Sequence, residues 1–525
     1  MFDVMIRNGR IADGTGTPWY RGDIGISDGK IQRIGNLSGF YGKEEYDAED
    51  RYIAPGFIDI HTHSDKTIVG NSLSESRILQ GVTTEIGGNC GMSVAPVEPA
   101  YFDQLKTYAA ADTPYQWKTM GEFLQYVESV GISTNLGTLV GHGTLRIAVM
   151  GFSPDRPTEH QMEKMKALAA QAVEEGAFGI SSGLIYPPGT YADKQEITEL
   201  VSVLGECGGY YATHMRNEGV HLIEAVTEAL ETAEKAGVPL QISHHKCLYK
   251  PQWKKAVFQT TAMIEAARRE GLDVTCDQYP YNASSTAISA NIPKWVFEGG
   301  FTAFKDRIHD ETMRTKIRDE MNESHIGRWQ DIRIAYARSA ANKWMQGKSV
   351  PEVAETLGKD PADLIMDLVE EEDNFVNEID FGMCEEDIEY IMQKPYVMTG
   401  SDGEAYSLDI EAQPHPRSFG TFPRVIAHYS RDRKLFGLEE AVRKMTAMPA
   451  ARAGLTDRGA IKQGMWADLV EFDLRSIESV PSYSDPKQPC SGIRRVFVNG
   501  VLTAENGKHL GKRSGKVLRS GFSGI

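Results

Sequence analysis

Hydrophobic residues recur through the middle of the chain in short runs that are typical of buried strands. The first run covers residues 57–60 and leads into two histidines, His61 and His63. The other runs lie at residues 82–90, 135–142, 178–184, 210–215, 240–245, 273–281 and 396–402. Their lengths and their flanking turn residues predict eight strands.

Segments with helical spacing of apolar residues separate several of these strands. They cover residues 158–175, 193–207, 221–236 and 256–270. Two of them end at Gly176 and Gly237, where we expect a left-handed cap. Eight strands alternating with helices predict an α/β fold of the (β/α)8, TIM-like barrel type, in which the chemistry lies at the carboxyl ends of the strands.

Both ends of the chain have a different, antiparallel β character. Residues 4–11, 23–27 and 30–34 are strand-sized, and Asp28-Gly29 is a hairpin turn signal. Residues 467–472 and 495–498 are similar, with a turn at Asn499-Gly500. Because neither end is long enough for a core of its own, we expect residues 1–55 and 451–525 to form one discontinuous β-sandwich beside a barrel of residues 56–450.

One interval between strands is much longer than an ordinary crossover. It runs from residue 282 to residue 395. A connection of this length predicts an inserted, largely helical subdomain at about residues 285–390, able to close over the barrel mouth.

Composition and charge exclude several classes of protein. The 525 residues are 41% hydrophobic and 25% charged, with a net charge of −17. The acidic balance argues against nucleic acid or an anionic membrane as partner, and no apolar run reaches the length of a membrane span. The N-terminus lacks the pattern of a signal peptide, and the six cysteines have no framework spacing. We therefore expect a cytoplasmic protein with reduced thiols.

Residues able to bind metal stand at five of the predicted strand ends. His61 and His63 share one face of the first strand, because side chains alternate along a strand. The others are Cys90, His214, the pair His244 and His245, and Asp402. His244 and His245 cannot both point inward, and the pattern alone does not choose between them. This coincidence predicts a metal-dependent hydrolase.

The sequence resembles a known family, the N-acyl-D-amino-acid deacylases (D-aminoacylases) of the amidohydrolase superfamily. The resemblance covers nearly the whole chain. The matching stretches are residues 54–65 (APGFIDIHTHSD), 88–91 (GNCG), 139–146 (LVGHGTLR), 181–189 (SSGLIYPPG), 211–219 (YATHMRNEG), 242–246 (ISHHK), 400–403 (GSDG) and 415–424 (HPRSFGTFPR).

The resemblance implies a role for each candidate ligand. Cys90, His214 and His244 would hold a tightly bound Zn²⁺. His61, His63 and Asp402, bridged by Cys90, would form a second and weaker metal position. Many members of the superfamily bridge two metals with a lysine on strand four, but residues 178–184 (FGISSGL) contain no lysine. The long 282–395 interval departs from compact members and leaves the acyl pocket undefined.

The substrate implied by the resemblance adds further residues. Asp402 would act as general base and acid, taking a proton from water and passing it to the departing amine. The free carboxylate of an N-acyl amino acid needs a cation, for which Arg417 is suited, with Lys246 as a second charge. Tyr186, Ser284 and Ser285 could hydrogen-bond the substrate. His142 could line the mouth or tie a loop, and Arg216 could bind substrate or support the site.

These expectations combine into zinc-dependent hydrolysis of N-acyl-D-amino acids, small-molecule substrates, to a carboxylate and a free D-amino acid. The handedness rests on the resemblance alone. The alternatives are a dipeptidase for peptides with a C-terminal D-residue, a cyclic-amide hydrolase of the hydantoinase type, and a scaffold protein without activity. The complete set of ligands argues against the scaffold. The oligomeric state is not predicted.

Overall fold

A computed structural model describes residues 1–109 and 114–521 of the chain. Its strands are β1 (Phe2–Ile11), β2 (Tyr20–Ser27), β3 (Lys30–Gly35), β4 (Gly42–Asp47), β5 (Tyr52–Pro55), β6 (Phe57–Asp59), β7 (Val82–Gly87), β8 (Asn135–Thr138), β9 (Val140–Gly141), β10 (Gly179–Gly183), β11 (Tyr210–His214), β12 (Leu240–Ile242), β13 (Val274–Gln278), β14 (Ser284–Ala287), β15 (Ile332–Ala337), β16 (Val376–Asp380), β17 (Val397–Thr399), β18 (Leu469–Phe472), β19 (Ile493–Val498), β20 (Val501–Glu505) and β21 (Lys508–His509).

The α-helices alternate with the central strands and also fill the long interval before β17. They are α1 (Glu75–Ile78), α2 (Phe102–Ala109), α3 (Met120–Val130), α4 (His142–Met150), α5 (Glu159–Glu174), α6 (Lys194–Val201), α7 (Leu204–Cys207), α8 (Leu222–Ala236), α9 (Ala256–Arg269), α10 (Phe301–His309), α11 (Glu311–Ser324), α12 (Val350–Leu357), α13 (Pro361–Glu371), α14 (Glu385–Met392), α15 (Arg417–Arg424), α16 (Leu438–Met445) and α17 (Ala447–Arg452). Within the described ranges, no helix is long and apolar enough to cross a membrane.

All eight predicted central strands are present and run parallel. One sheet has the order β6-β7-β8 and the other the order β9-β10-β11-β12-β13-β17. Only Leu139 separates β8 from β9, so the two form one interrupted strand that links the sheets. At the other side, Asp402 N donates to His61 O at 2.8 Å and His63 N donates to Gly403 O at 2.8 Å. The carboxyl ends of the first and last strands therefore meet.

Capping residues that the sequence analysis could recognise stand at the ends of helices α5 and α8. Helix α5 begins at Thr158, whose side chain accepts a hydrogen bond from Gln161 N in a capping box. Helix α8 ends at Gly237, which has the predicted left-handed conformation (φ 68°). The cap predicted at Gly176 is also present: its φ is positive (123°), Gly176 N donates to Val173 O at 3.0 Å, and Ala177 N donates to Ala172 O at 2.9 Å.

Strands from both chain ends lie in one nine-stranded sheet, as the sequence predicts. One edge of β1 pairs with β2, and the other edge pairs first with β4 and then with β5. The sheet therefore branches at β1, and the Tyr46 ring of one branch packs 5.5 Å from the Phe497 ring of the other. Beyond this sheet, Leu518 N donates to Leu136 O at 2.7 Å, so the segment around Leu518 lies on the barrel. The exact domain boundaries stay a prediction.

The long interval forms a separate subdomain with its own hydrophobic core. Helices α10–α13 pack around buried residues such as Phe304, Ile334 and Leu368. It also contains a three-stranded antiparallel sheet, β14-β16-β15, which the prediction of a largely helical insertion did not include. Strand β14 faces the barrel, because Thr286 Oγ1 and Tyr186 Oη lie 3.0 Å apart.

Candidate functional site

The predicted ligands occupy the carboxyl ends of the barrel strands. His214 is the last residue of β11, and the other ligands follow their strands within a few residues. Cys90, His244 and Asp402 have positive φ angles of 53°, 35° and 53°. Such angles are uncommon for residues with a side chain and persist where the surroundings enforce them, often at functional sites. Here each turns a side chain toward the same point.

Four side chains converge at distances that suit a single cation. Cys90 Sγ lies 3.3 Å from His61 Nε2 and 3.5 Å from His244 Nε2. His61 Nε2 lies 3.4 Å from Asp402 Oδ1. Tetrahedral zinc with ordinary bond lengths separates its ligand atoms by about 3.3–3.6 Å. His61, Cys90, His244 and Asp402, which we call the ligand group, therefore fit one zinc ion.

His214 belongs to a second group that shares His244. Glu218 Oε1 lies 2.8 Å from His244 Nδ1, and Glu218 Oε2 lies 3.5 Å from His214 Nε2. Neither ring nitrogen of the buried His214 has a hydrogen-bond partner among the described residues. A buried imidazole whose ring nitrogens lack hydrogen-bond partners is available as a ligand for a cation. The predicted trio Cys90, His214 and His244 is thus divided between two adjoining groups.

His63 extends the ligand group on the side of Asp402. His63 Nε2 lies 3.1 Å from Asp402 Oδ1. Within residues 1–109 and 114–521, His63 Nδ1 has no hydrogen-bond partner. The structure also decides between the adjacent histidines of β12: His245 Nε2 lies 2.9 Å from Thr260 Oγ1 of helix α9, so His245 faces outward and His244 inward.

Two carboxylates that the sequence analysis missed orient the histidines. Asp277 Oδ1 lies 3.0 Å from His61 Nδ1 and accepts a hydrogen bond from His244 N at 2.8 Å. Glu218 contacts the outer nitrogen of His244 in the same way. A carboxylate on the outer nitrogen fixes the tautomer in which the inner nitrogen can bind a metal. Asp277 lay inside the predicted strand at 273–281, and Glu218 in the quoted motif at 211–219.

Arg417 lies beside the ligand group, as a carboxylate clamp requires. Arg417 Nη1 lies 2.8 Å from Asp402 Oδ2, and Arg417 Nη2 donates to Ser285 O at 2.9 Å. Its guanidinium carbon lies 5.0 Å from the ring centre of Tyr279. The contact to Ser285 uses the backbone oxygen and leaves the hydroxyl of Ser285 for other partners.

Lys246 occupies a different place from the other predicted substrate residues. Its Nζ donates to Glu218 Oε1 at 2.7 Å and lies 2.8 Å from His244 Nδ1. The side chain is buried behind His244. This position makes Lys246 a partner of the ligand support, and its contact with a substrate stays a prediction.

A cavity of about 540 Å³ opens above the ligand group. Cys90, Asp402 and Arg417 lie at its floor, and Tyr186 and Ser285 line it. Ser284, the remaining predicted substrate residue, does not line this cavity, and its contact with a substrate stays a prediction. The insertion supplies much of the cover, from residues 285–287, from Ala335, Tyr336 and Arg338, and from Asn377. The expected position of the insertion over the barrel mouth is therefore observed.

The two residues left open by the sequence are engaged with other side chains. His142 Nε2 lies 2.9 Å from Glu196 Oε1, and Arg146 pairs with the same carboxylate at 2.5 Å. Arg216 pairs with Glu228 at 2.9 Å and donates to Ala192 O at 2.8 Å. Arg216 therefore braces the loop after β10, which carries Tyr186, whereas His142 and Arg146 tie α4 to α6.

Burial and charge set the protonation of the site. Burial lowers the pKa of His214 and of His244 well below the usual histidine range, which keeps both rings neutral and able to bind metal. Burial also lowers the pKa of His63 to about 4. Burial alone would raise the pKa of Asp402, but Arg417 and the neighbouring histidines outweigh it and hold that pKa well below the usual carboxyl value. Asp402 is therefore an anion at neutral pH.

Comparison with known proteins extends these observations. A model of the amidohydrolase family matches residues 44–504. The chain belongs to the amidohydrolase family. It is 34% identical to the D-aminoacylase of Alcaligenes xylosoxydans xylosoxydans over 98% of this chain and 97% of that protein.

Two solved structures of amidohydrolases share the fold. The crystal structure of a D-aminoacylase superposes with a TM-score of 0.84 at 34% identity, over 99% of this chain and all of the other. The N-acyl-D-glutamate deacylase of Bordetella bronchiseptica, solved with zinc and a phosphonate inhibitor, superposes with a TM-score of 0.82 at 32% identity, over 99% of both chains. The predicted barrel fold and family resemblance are confirmed.

Proposed function

We propose that this protein is a zinc-dependent hydrolase of N-acyl-D-amino acids, which releases a carboxylate and a free D-amino acid. The observation that carries the proposal is the convergence of Cys90, two histidines and Asp402 on one point, beside Arg417. The D configuration is supported by the three relatives reported above, two D-aminoacylases and one N-acyl-D-glutamate deacylase. A thiolate ligand on strand two, with no lysine on β10, distinguishes this site from that of the lysine-bridged cyclic-amide hydrolases.

The donor set fits zinc. A thiolate, imidazoles and one carboxylate are the ligands that Zn²⁺ prefers. We assign a first ion to the ligand group, with His214 as an additional donor close to His244, and a weaker second position to His63 and Asp402. When bound, zinc polarises the scissile carbonyl and makes a coordinated water acidic enough to attack near neutral pH.

Each remaining part of the reaction is assigned to a residue of this chain. The carboxylate of the substrate takes the two outer nitrogens of Arg417, for which bidentate geometry is favourable. Asp402, anionic at neutral pH, accepts the proton of the attacking water and delivers it to the nitrogen of the departing amine. Tyr186 and the hydroxyl of Ser285 are assigned to hydrogen bonds with the substrate, and the insertion excludes bulk water from the cavity.

The test combines metal analysis with a small substrate panel. Purified protein should contain at least one zinc per chain, and N-acetyl-D-amino acids should be hydrolysed at least about 100-fold faster, in kcat/KM, than their L isomers. The panel includes a dipeptide with a C-terminal D-residue and a hydantoin, which represent the alternative substrates. A preference for either of these, or for the L isomer, would overturn the proposal.

A further inference from the structure

A second cavity of about 270 Å³ lies beside the main one. The two share the lining residues Met92, Tyr108, Tyr186 and Ala287, so the side cavity opens toward the ligand group. Its far end is formed by the barrel loop at Phe152 and by the insertion at Phe297 and Phe301. The space therefore lies between the barrel and the insertion.

Several polar groups that border the side cavity are already bonded to protein atoms. Tyr108 Oη donates to Gly91 O at 3.1 Å, and Gln104 Oε1 accepts from Phe152 N at 3.0 Å. Lys294 Nζ donates to Ala290 O at 2.9 Å, and Tyr186 Oη lies 3.0 Å from Thr286 Oγ1. Among the described residues, Asn374 Oδ1 is buried there without a hydrogen-bond partner, and Asp103, Ser289 and Thr302 also border the cavity. The larger part of the lining is aromatic or aliphatic, with Phe152, Phe297 and Phe301 at the far end, which suits an apolar occupant.

The position of the side cavity relative to the clamp selects the part of the substrate that enters it. Arg417 and Asp402 hold the carboxylate and the departing amine, and neither borders the side cavity. With the carboxylate and the amine so placed, we expect the carbon chain on the other side of the scissile carbonyl to leave the ligand group past Cys90. Met92 follows Cys90 by two residues, and the Tyr186 ring lies 5.1 Å from that of His214. This direction leads into the side cavity.

We propose that the side cavity binds the acyl chain of the substrate and that the enzyme prefers N-acyl-D-amino acids with medium-length aliphatic acyl groups. The inference rests on the proposed function and specifies its substrate class. A volume of about 270 Å³ equals that of about nine water molecules at about 30 Å³ each. That is room for an acyl chain of about eight carbons, and each methylene buried there adds about fourfold to binding.

The experiment compares three substrates on the zinc-loaded enzyme: N-acetyl-D-alanine, N-octanoyl-D-alanine and N-acetyl-D-phenylalanine. The octanoyl substrate should exceed the acetyl substrate in kcat/KM by about 50-fold or more. Equal or lower kcat/KM for the octanoyl substrate would overturn the inference while leaving the deacylase function intact. Loss of all three activities would instead overturn the proposed function.

A variant that fills the side cavity tests whether the preference for the octanoyl substrate arises there. Ala290→Phe places a ring in the cavity and should lower the octanoyl-to-acetyl ratio of kcat/KM by about tenfold or more. Ala341→Phe, at an exposed position of the same insertion, is the matched control and should leave that ratio unchanged. If Ala290→Phe lowered turnover of the D-phenylalanine substrate instead, the cavity would bind the amino-acid side chain and the inference would be wrong.

Binding provides a readout that does not depend on turnover. Calorimetric titration of N-octanoyl-D-alanine into the metal-free protein should give a tighter Kd than N-acetyl-D-alanine, and Ala290→Phe should remove the difference. If the two ligands bound equally to the unaltered protein, the side cavity would not be an acyl site, whatever reaction the enzyme performs.

Discussion

The first and last barrel strands each contribute to two buried groups of charged side chains, and the two groups are built on opposite principles. One is the ligand group, which includes His61 and Asp402. The other, which we call the arginine cluster, contains Arg77, Asp59, Glu85 and Ser401. Asp59 precedes His61 by two residues and Ser401 precedes Asp402 by one, so the two groups are neighbours on the same strands.

The arginine cluster places one buried cation between two buried carboxylates. Arg77 bonds Asp59 directly, its Nε lies 3.2 Å from Glu85 Oε2, and its Nη2 donates to Ser401 Oγ at 2.9 Å. Asp59 Oδ1 accepts Ser401 N at 2.9 Å. All of these side chains are buried. A cluster whose cation and carboxylates contact one another in this way holds the two strands together.

The ligand group is incomplete on its own. Its histidines are oriented from outside by Asp277 and Glu218, while the inner nitrogens of His61 and His244 face the Cys90 sulfur. Burial raises the pKa of Cys90, an effect that His61 opposes, so a cation must displace the thiol proton to complete the site. The difference indicates which buried charged group is structural and which one is open to chemistry.

Removal of the thiol should have the largest effect on function. In Cys90→Ala, the ligand group loses the sulfur that contacts two of its histidines, so we expect loss of the first zinc and a fall in kcat/KM of about 10³-fold or more. Metal content by mass spectrometry and rates on N-acetyl-D-amino acids measure the two effects.

The control for this variant is Cys276→Ala. Cys276 is equally buried on β13, in the hydrophobic core away from the cavity. It should keep its zinc and its rate within a few-fold. If Cys90→Ala kept both zinc and turnover, the ligand group would not be the metal site.

Breaking the arginine cluster should cost stability. Arg77→Met leaves Asp59 and Glu85 buried without their cation, so we expect the free energy of unfolding to fall by about 3–5 kcal/mol. Urea denaturation of the two proteins at equal zinc content measures the change.

An exposed ion pair serves as the control for the loss of unfolding free energy in Arg77→Met. Arg21 pairs with Asp50 at 3.0 Å, and its side chain is 70% exposed. Arg21→Met should change the free energy of unfolding by at most about 1 kcal/mol. Similar losses in the two variants would mean that the arginine cluster is not the structural element inferred from its burial.

Removal of an orienting carboxylate should have an intermediate effect. Asp277→Asn keeps the shape of the side chain but weakens its contact with His61 Nδ1, and we expect zinc affinity to fall by about 10–100-fold. Competition with a chelator of known affinity measures it. Lys254→Met, which removes the exposed partner of Glu386 far from the cavity, serves as the control and should leave zinc affinity unchanged. An unaltered affinity in Asp277→Asn would show that His61 is held in place by packing alone.

Asp277 also illustrates what the sequence could and could not predict. His61, Cys90, His214 and Asp402 could be placed because each stands at the end of a strand whose apolar pattern is local. The inward face of β13 depends on its register with β12 and β17, which pairs Asp277 with Met398, and no local pattern encodes that register.

The sheet of the largely helical insertion was missed for a related reason. Its sheet pairs Ser284 with Asp380 and Ile332 with the same residue, across long separations in the chain. Strand β14 is short and made of small, mostly polar residues, so its pairing depends on contacts that form only in the folded subdomain. Helices α10–α13 are amphipathic, and a helical pattern can be recognised without such contacts.

The arginine of the site should give the smallest effect and the sharpest contrast with Arg77. Arg417 contacts Asp402 Oδ2 and Ser285 O, and bidentate binding of a substrate carboxylate needs its planar fork. In Arg417→Lys the charge remains but the fork is lost, so we expect KM to rise by about tenfold with kcat reduced less than threefold, because the loss falls on binding rather than on the reacting atoms. Steady-state kinetics on N-acetyl-D-alanine separate the two parameters. A fall in kcat with KM unchanged would assign Arg417 to the orientation of Asp402 and leave the carboxylate without its proposed partner.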